Sequence, residues 1–296
     1  MKKKISVAAV WLLTLVLASY YPLDYPRGDV DRNGEVNIAD VTALIDYLLN
    51  GQWPDGAPRP EAVRTFTVHG VSFNMVSVEG GTFMMGATEE QGSDTYSNEK
   101  PVHEVTLSGY SIGQTEVTQE LWAALMDPVT IGSCWGHPQW PVTAVTEYEI
   151  KTFITRLNEA TGENFRLPTE AEWEFAARGG NYSMGYKYAG SDTLYDVAWC
   201  YPIAGERPHP VGLLLPNELG LYDMSGNVSE MCQDWYGDYS SEAQTDPTGP
   251  ETGTSRVTRG GSWDKYWGRW WISWRGKHGV GDYYGIRLAL SEQQNE

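Results

Sequence analysis

Glycine, proline, asparagine and aspartate are frequent in the second half of the chain, beyond Gly180, and they limit how much regular secondary structure can form there. These residue types favour turns and left-handed or fixed backbone conformations over long helices or strands. We therefore predict that most of the second half is irregular backbone, held in place by side-chain networks and bound ions.

Regular elements are predicted mainly in the first half. Residues 71–86 alternate apolar and small side chains, as expected of a strand, a turn and a second strand. Helical apolar spacing occurs at 118–122 and 147–157, and residues 168–179 begin with Pro-Thr and end at Gly, as a capped helix does. The sequence thus predicts an α+β domain over 66–291 with two core helices.

The charge balance excludes some function classes. The chain has 296 residues, 41% of them hydrophobic, which is enough for a sizeable core, and a formal net charge of -18. Such a charge repels phosphate backbones and anionic lipid headgroups. We therefore expect neither nucleic-acid binding nor general membrane-surface binding.

The N-terminus has the pattern of a secretory signal peptide over residues 1–18. Three lysines precede an apolar run, which ends in Val16-Leu17-Ala18. The run is too short for a comfortable membrane span, and no cysteine follows it for lipid attachment. We expect a secreted or cell-surface protein without a membrane span.

A calcium loop is predicted next, within a module over residues 28–50. Side-chain oxygens recur there at the spacing of hard-cation loops, with Gly34 at the sharp turn, and an apolar helix pattern follows. The last ligand is Asp rather than Glu and no helix precedes the loop, which resembles one half of a dockerin repeat. That resemblance implies a cohesin-like partner; a calcium-stapled spacer is the alternative, and residues 51–65 are the predicted linker. The predicted ligands are Asp29, Asp31, Asn33, Glu35, Asn37 and Asp40.

Six motifs in order resemble the formylglycine-generating enzyme family, also called sulfatase-modifying factors. The resemblance covers roughly residues 75–290 and implies that family's fold, a variant of the C-type lectin fold with much irregular structure. The motifs lie at 80–86, 99–105, 115–118, 166–174, 216–230 and 256–263.

The resemblance does not extend to the residues that carry the family's reaction. Family enzymes oxidise a sulfatase cysteine with molecular oxygen, using copper(I) held by two cysteines after the Gly-Gly-Ser motif. Those positions are Lys265 and Trp270 here, and neither is the soft thiolate that copper(I) prefers. Ser262 matches an active-site serine and is expected to be structural. We predict a non-catalytic protein that does not use copper; an enzyme of altered chemistry and a structural subunit are the alternatives.

A second calcium site is implied by the family resemblance. Two side chains and two backbone carbonyls would hold the ion, at Asp223, Gly226, Val228 and Glu230. Ser229 stands where the family usually has Trp, which suggests relaxed constraint or a reshaped pocket.

The segment from residue 264 to 284, here called the C-terminal loop, is rich in aromatic and basic residues. Such a composition suits molecular contact with a protein or glycan. The loop and its flanks also look like the variable proteins of diversity-generating retroelements, which vary residues between a Gly-Gly-Ser-Trp start and a Gly-Phe-Arg-Leu-like end. The alternative is that Trp263, Trp271 and Trp274 are core residues. The predicted contacts are Asp264, Lys265, Tyr266, Trp267, Arg269, Trp270, Trp271, Trp274, Lys277, His278, Tyr283 and Tyr284.

Other polar residues are given structural roles. Arginines that flank the C-terminal loop are expected to be buried partners of core carboxylates. The histidines lack ligand spacing and are expected to pack or to form hydrogen bonds. The cysteines form either one disulfide or buried free thiols. The residues concerned are Arg256, Arg259, Arg287, His103, His137, His209, Cys134, Cys200 and Cys232.

Overall fold

The computed structural model describes residues 63–126, 136–201, 203–264, 269–278 and 284–291. The predicted signal peptide, the dockerin-like module with its ligands Asp29, Asp31, Asn33, Glu35, Asn37 and Asp40, and most of the linker lie outside the described residues, as do Cys134, Lys265, Tyr266, Trp267 and Tyr283. The first strand begins at Val63, before the predicted domain start at residue 66.

Short strands carry most of the regular structure. In chain order they are β1 (Val63–Val68), β2 (Val71–Val78), β3 (Gly81–Met85), β4 (His103–Leu107), β5 (Tyr110–Gly113), β6 (Phe165–Arg166), β7 (Ser229–Trp235), β8 (Gln244–Thr245), β9 (Arg256–Arg259), β10 (Arg275–Lys277), β11 (Tyr284–Gly285) and β12 (Ala289–Ser291).

These strands form three sheets among the described residues. The five-stranded sheet has the order β1-β2-β5-β12-β6, the four-stranded sheet β10-β9-β7-β11, and the three-stranded sheet β3-β4-β8. Strand β12, near the C-terminus, pairs antiparallel with both β5 and β6, whereas β11 pairs parallel with β7. Both ends of the C-terminal loop are therefore fixed by sheet pairing, at β9–β10 on one side and at β11–β12 on the other.

The helices begin where the sequence places capping residues. They are α1 (Gln119–Leu125), α2 (Glu147–Thr161), α3 (Glu170–Ala177) and the single turn α4 (Leu194–Val197). Thr118, Thr146 and Thr169 each accept a hydrogen bond from the third residue of the following helix. Helix α2 ends at Gly162, which has a left-handed φ of 75°.

Among the described residues, two large apolar clusters and one small cluster around Trp270 form the core. In one large cluster, Trp173 and Phe175 of α3 pack against side chains of β2–β5, β7 and β9. In the other large cluster, Trp122 of α1 stacks on Phe153 of α2 at 4.9 Å between ring centroids. Every residue of α3 is buried, including three glutamates, so this helix needs internal partners for its charges.

The architecture confirms the predicted α+β class, with short sheets and long irregular connections. Within the part of the chain that the structure describes, no helix has the length and apolar character needed to cross a membrane.

Candidate functional site

Buried arginines attach the start of the C-terminal loop to helix α3. Arg259, at the end of β9, is fully buried and pairs with the carboxylate of Glu174. Its Nη1 also donates to the carbonyls of Ser273 and Trp274, at 2.8 and 2.6 Å. One guanidinium therefore fixes the loop backbone to the core helix.

Two further arginines hold the loop at its other attachments. Arg275 pairs with Glu170, with Nε and Nη2 at 2.7 and 2.6 Å from the two carboxylate oxygens. Arg287 pairs with Glu230 of β7, with Nη2 at 2.6 Å from Oε1. Bidentate pairs of this kind fix orientation as well as distance.

The prediction that the arginines flanking the C-terminal loop are buried partners of carboxylates is confirmed for Arg259 and Arg287, whereas Arg256 pairs with a carboxylate but is only half-buried. Arg256 pairs with Glu147 of α2, its Nη2 2.8 Å from Oε1, while its guanidinium lies over the Trp235 ring at 3.5 Å from the centroid. The sequence did not indicate Arg275, nor the acidic partners on α3.

Gly261 allows a close backbone approach at the start of the loop. Its φ is 70°, and a Cβ placed there would lie 2.2 Å from the carbonyl oxygen of Arg269 and 2.8 Å from Cδ1 of Trp270. Only glycine tolerates both the left-handed backbone and this contact. The Gly-Gly-Ser motif therefore serves to bring residues 269–270 against the scaffold.

Trp270, which the sequence resemblance places at the second copper-binding cysteine, fills the space beside the Gly-Gly-Ser motif. Its side chain is 6% exposed and packs with Ala198 and Cys200. The indole Nε1 donates to the carbonyl of Ser262 at 3.0 Å, and Ser225 Oγ donates to the carbonyl of Trp270 at 2.8 Å. The indole is therefore a well-satisfied interior side chain. Ser262 is itself buried, and its Oγ donates to Asp264.

Three more aromatic residues of the predicted contact set are buried. Trp271 donates through Nε1 to Glu99 at 2.9 Å and stacks with Tyr96, with ring centroids 5.9 Å apart. Trp274 and Tyr284 are 8% and 6% exposed. This burial goes against a contact role for these side chains and for Trp270, and it matches the alternative in which Trp271 and Trp274 are core residues. Trp263 is half-buried.

The described part of the C-terminal loop exposes polar residues instead. Arg269 and Lys277 are exposed, and Asp264 and His278 are half-buried. The ammonium of Lys277 lies 4.5 Å from the centroid of the Tyr236 ring, which holds it at the surface. The described part of the C-terminal loop therefore presents two exposed cations, Arg269 and Lys277.

A cluster of buried carboxylates lies where the second calcium site is predicted. Glu116, Asp223 and Glu230 are all at least 97% buried, and Arg287 is the cation that faces them among the described residues. Burial raises the pKa of Glu116 well above its usual range, and the charges of Asp223 and Glu230 raise it further. Burial likewise raises the pKa of Asp223 to about 6. The cluster therefore carries more acid than its arginine neutralises.

The predicted calcium ligands fit an ion only in part. Asp223 fits, because its Oδ2 accepts from the Gly212 N–H at 2.7 Å while its buried Oδ1 has no hydrogen-bond partner in the structure. Glu230 does not fit, because both of its oxygens accept from Arg287 and Oε2 also accepts from Trp173 Nε1 at 2.6 Å.

The other two predicted ligands sit next to this cluster. The backbone N–H of Gly226 donates to the Gly260 carbonyl at 2.8 Å, and that of Val228 donates to Glu116 Oε1 at 3.2 Å. In the described ranges, no three or more His, Cys, Asp or Glu side chains are arranged to hold a metal ion. Glu116, from the Thr-Glu-Val-Thr motif, was not predicted from the sequence as part of this cluster.

The two described cysteines are buried free thiols. Burial raises the pKa of Cys200 to about 11 and holds the pKa of Cys232 well above its usual range, so both remain protonated at neutral pH. They belong to different apolar clusters. The predicted alternative of buried thiols is confirmed for this pair.

The histidines have the structural roles expected from the sequence. His103 is buried and packs on Tyr239, while His137 stacks on Trp140 with ring centroids 4.0 Å apart. His209 stacks on Trp199 at 3.8 Å.

Comparisons with known proteins agree with this geometry. Residues 64–292 match the family model described as a sulfatase-modifying factor enzyme 1-like domain. A chaperone protein LppX from Paenibacillus barcinonensis is 33% identical over 275 residues, which cover 75% of this chain and 91% of that protein. A formylglycine-generating enzyme from Thermomonospora curvata is 31% identical over 252 residues, covering 65% of this chain and 83% of that enzyme.

Among solved structures, Treponema denticola variable protein 1 superposes with a TM-score of 0.67. It is 30% identical and covers 78% of this chain and 99% of its own. The fold is therefore shared both with enzymes and with a variable protein.

Proposed function

Since this chain belongs to the sulfatase-modifying factor family, we propose that it is a non-catalytic ligand-binding protein built on the family's C-type lectin-like scaffold. A shared fold does not carry an activity without its site. The observation that carries the proposal is the burial of Trp270, whose indole fills the space at the position of a copper-binding cysteine.

The two family positions and the two described cysteines do not fit copper(I). A linear or trigonal thiolate site needs ionised sulfur ligands close together. Lys265 and Trp270 hold the two family positions. The thiols of Cys200 and Cys232 have raised pKa values and lie in different parts of the core. Neither pair supplies two thiolates, which supports binding without oxidation.

The proposed contact surface is the C-terminal loop, and its ligand is a protein or a glycan. Support comes from the exposed cations Arg269 and Lys277 on a chain with a net charge of -18, and from the similarity to a variable protein. A relative that is named a chaperone also suggests binding rather than catalysis. Diversification of the loop by a retroelement belongs to the same proposal, with Lys265, Tyr266, Trp267 and Tyr283 as further contacts.

Three accessory features complete the proposal. Residues 1–18 direct export, so the mature protein is secreted or held at the cell surface. The dockerin-like module over residues 28–50 binds calcium and docks a cohesin-like partner or acts as a spacer. A second calcium ion lies next to Asp223, whose unpartnered Oδ1 is the supporting observation.

Screening the mature chain on glycan and protein arrays tests the proposal. We expect a specific ligand whose affinity falls about tenfold or more when Arg269 and Lys277 are both changed to alanine, because exposed interface cations contribute to binding. The matched control changes Arg64 to alanine, an exposed arginine on β1, and should leave the affinity unchanged. Equal binding by the double variant and the wild type would contradict the assignment of this surface.

A further inference from the structure

A separate cavity of about 410 Å³ lies between the N-terminal end of α3, the end of β7 and the irregular segment 237–250. None of the predicted contact or metal residues lines it. The deepest polar wall residues are Glu170, Asp234 and Arg275, each no more than 4% exposed. Asp238 and Asp246 are exposed residues in the same wall, so the cavity opens to solvent on their side.

The arginine in the cavity wall already has a carboxylate partner. Arg275 is paired with Glu170, which also accepts from the Tyr239 hydroxyl at 3.1 Å. Among the described residues, Asp234, Asp238 and Asp246 form no ion pair, and Asp246 accepts only from the backbone N–H and hydroxyl of Ser108. The wall therefore has three carboxylates in excess of its cations.

Asp234 is the buried member of this set. Its Oδ2 accepts from the backbone N–H of Glu170 at 2.9 Å, and among the described residues Asp234 forms no ion pair. Oδ1 lies beside Gly249, where a Cβ would come within 3.1 Å of it. Burial, together with the charge of Glu170, raises the pKa of Asp234 to about 7. A buried carboxylate in a cavity wall that forms no ion pair favours a cationic ligand.

The geometry also argues against other ligand classes. Anions would meet three carboxylates. A sugar ring commonly stacks on an exposed aromatic face, but Arg275 covers Tyr239 at 4.0 Å from the centroid and Arg256 covers Trp235 at 3.5 Å. A calcium ion needs six to eight oxygen ligands, and the described residues form no metal-holding group here.

We propose that this cavity binds an alkylammonium group, with Asp234 as its buried counterion and Asp238 and Asp246 at the entrance. The ammonium belongs either to a free small amine or to a lysine side chain of a partner segment. Its three N–H donors suit the carboxylate of Asp234 and the neighbouring carboxylates. This site is independent of the proposed ligand surface on the C-terminal loop.

Titration calorimetry of the full chain with cadaverine tests the proposal. Pentanediol, which has hydroxyls in place of both amines, is the neutral control ligand and should not bind. Changing Asp234 to asparagine should weaken cadaverine binding by about tenfold or more, because a desolvated counterion is lost. Asp238→Asn should weaken it only about twofold, since that carboxylate is solvent-screened.

Matched controls separate binding from folding. Asp234→Asn keeps an oxygen that can accept from the Glu170 N–H, so a melting temperature no lower than that of the wild type shows that this contact with the start of α3 is intact. Asp192→Asn removes an exposed carboxylate elsewhere and should not alter binding. Equal heats for cadaverine and pentanediol, or unchanged cadaverine affinity in Asp234→Asn, would overturn the proposal.

Two further measurements identify the source of the ammonium group and test whether its binding depends on the ionisation of Asp234. Tighter binding of a lysine-containing peptide than of cadaverine supports a protein partner, the reverse order supports a free amine, and binding of neither refutes the site. Affinity for the amine should rise from about pH 6 to about pH 8 as Asp234 ionises, and this rise should disappear in Asp234→Asn. The charged or titratable groups around Asp234 among the described residues are Glu170, Glu172, His103, Tyr239, Arg275, Arg166 and Cys232.

Discussion

Removing the charge of Glu174 should strongly destabilise the domain, because this carboxylate neutralises two buried arginines. Its Oε1 accepts from the Gly86 N–H and from Arg178, at 2.8 Å from the Nη2 atom, and its Oε2 accepts from Arg259. Glu174 and Arg259 have no exposed surface. The change Glu174→Gln keeps the shape of the side chain and leaves the guanidinium of Arg259 without its principal counterion.

The expected loss is about 3 kcal/mol, the lower end of the range for breaking a buried ion pair. The lower end applies because Arg178 keeps Glu90 at 2.8 Å and Arg259 keeps two carbonyl acceptors. For a domain of this size the melting temperature should fall by about 6–12 °C. Differential scanning calorimetry and urea unfolding at neutral pH measure the change.

The pH dependence gives an internal check. Burial alone would raise the pKa of Glu174, but Arg178 and Arg259 outweigh it and hold the pKa below the usual range. The stabilisation is therefore complete above the ordinary pKa of glutamate and is lost as pH falls through the lowered value. The difference in free energy of unfolding between the wild type and Glu174→Gln should therefore become smaller at acid pH.

The control variant Glu104→Gln changes an exposed carboxylate on β4. A Glu174→Gln loss no larger than that of the control would refute the role of this network.

Other predictions follow from single contacts. The folded-state pKa of Asp234 is about 7, so protonated Asp234 stabilises the fold fully below the ordinary aspartate pKa, and this stabilisation is lost as pH rises to about 7. Chemical unfolding at several pH values should therefore show a free energy of unfolding that depends less on pH in Asp234→Asn than in the wild type. Trp270→Ala should cost about 3–5 kcal/mol in urea unfolding and should speed thiol-reagent labelling of Cys200, which packs against the indole. Gly261→Ala should lower the melting temperature, because its Cβ would overlap a carbonyl oxygen. Calcium should raise the melting temperature of the wild type, and Asp223→Asn should make that increase smaller, leaving only what the module over residues 28–50 contributes; an equal increase in the wild type and in Asp223→Asn would remove Asp223 as a ligand.

Local patterns predicted much of the fold correctly. The cap at Thr169 was predicted from the sequence because it depends only on residues within one helical turn, and the helices after Thr118 and Thr146 were predicted from their apolar spacing. The Gly-Gly motif likewise marks a backbone that only glycine adopts. The turn-rich composition beyond Gly180 correctly predicted irregular structure held by side-chain networks.

Whether the aromatic side chains of the C-terminal loop point into the core or toward solvent was harder to predict. A high density of tryptophan is compatible with a binding surface and with a core, and the choice depends on partners far away in sequence. Trp271 is buried because Glu99 accepts its indole N–H. Trp270 is buried because Cys200 and Ala198 leave room for it. Neither pairing follows from the loop sequence itself.

The acidic partners of the arginines were missed for a similar reason. Glu170 and Glu174 lie one turn apart on α3, where charged residues would ordinarily be read as a solvated helix face. The sequence did contain one indication that these glutamates are buried: α3 carries three of them together with Trp173 and Phe175.

Copper(I) titration of the purified mature chain, coupled to an oxygen-dependent assay on a peptide with the sulfatase Cys-x-Pro-x-Arg motif, tests the central claim most directly. With Trp270 filling one ligand position and Cys200 and Cys232 buried as protonated thiols, we expect no tight copper binding and no conversion of the peptide cysteine. Tight binding together with formylglycine formation would contradict the account and make this chain an enzyme.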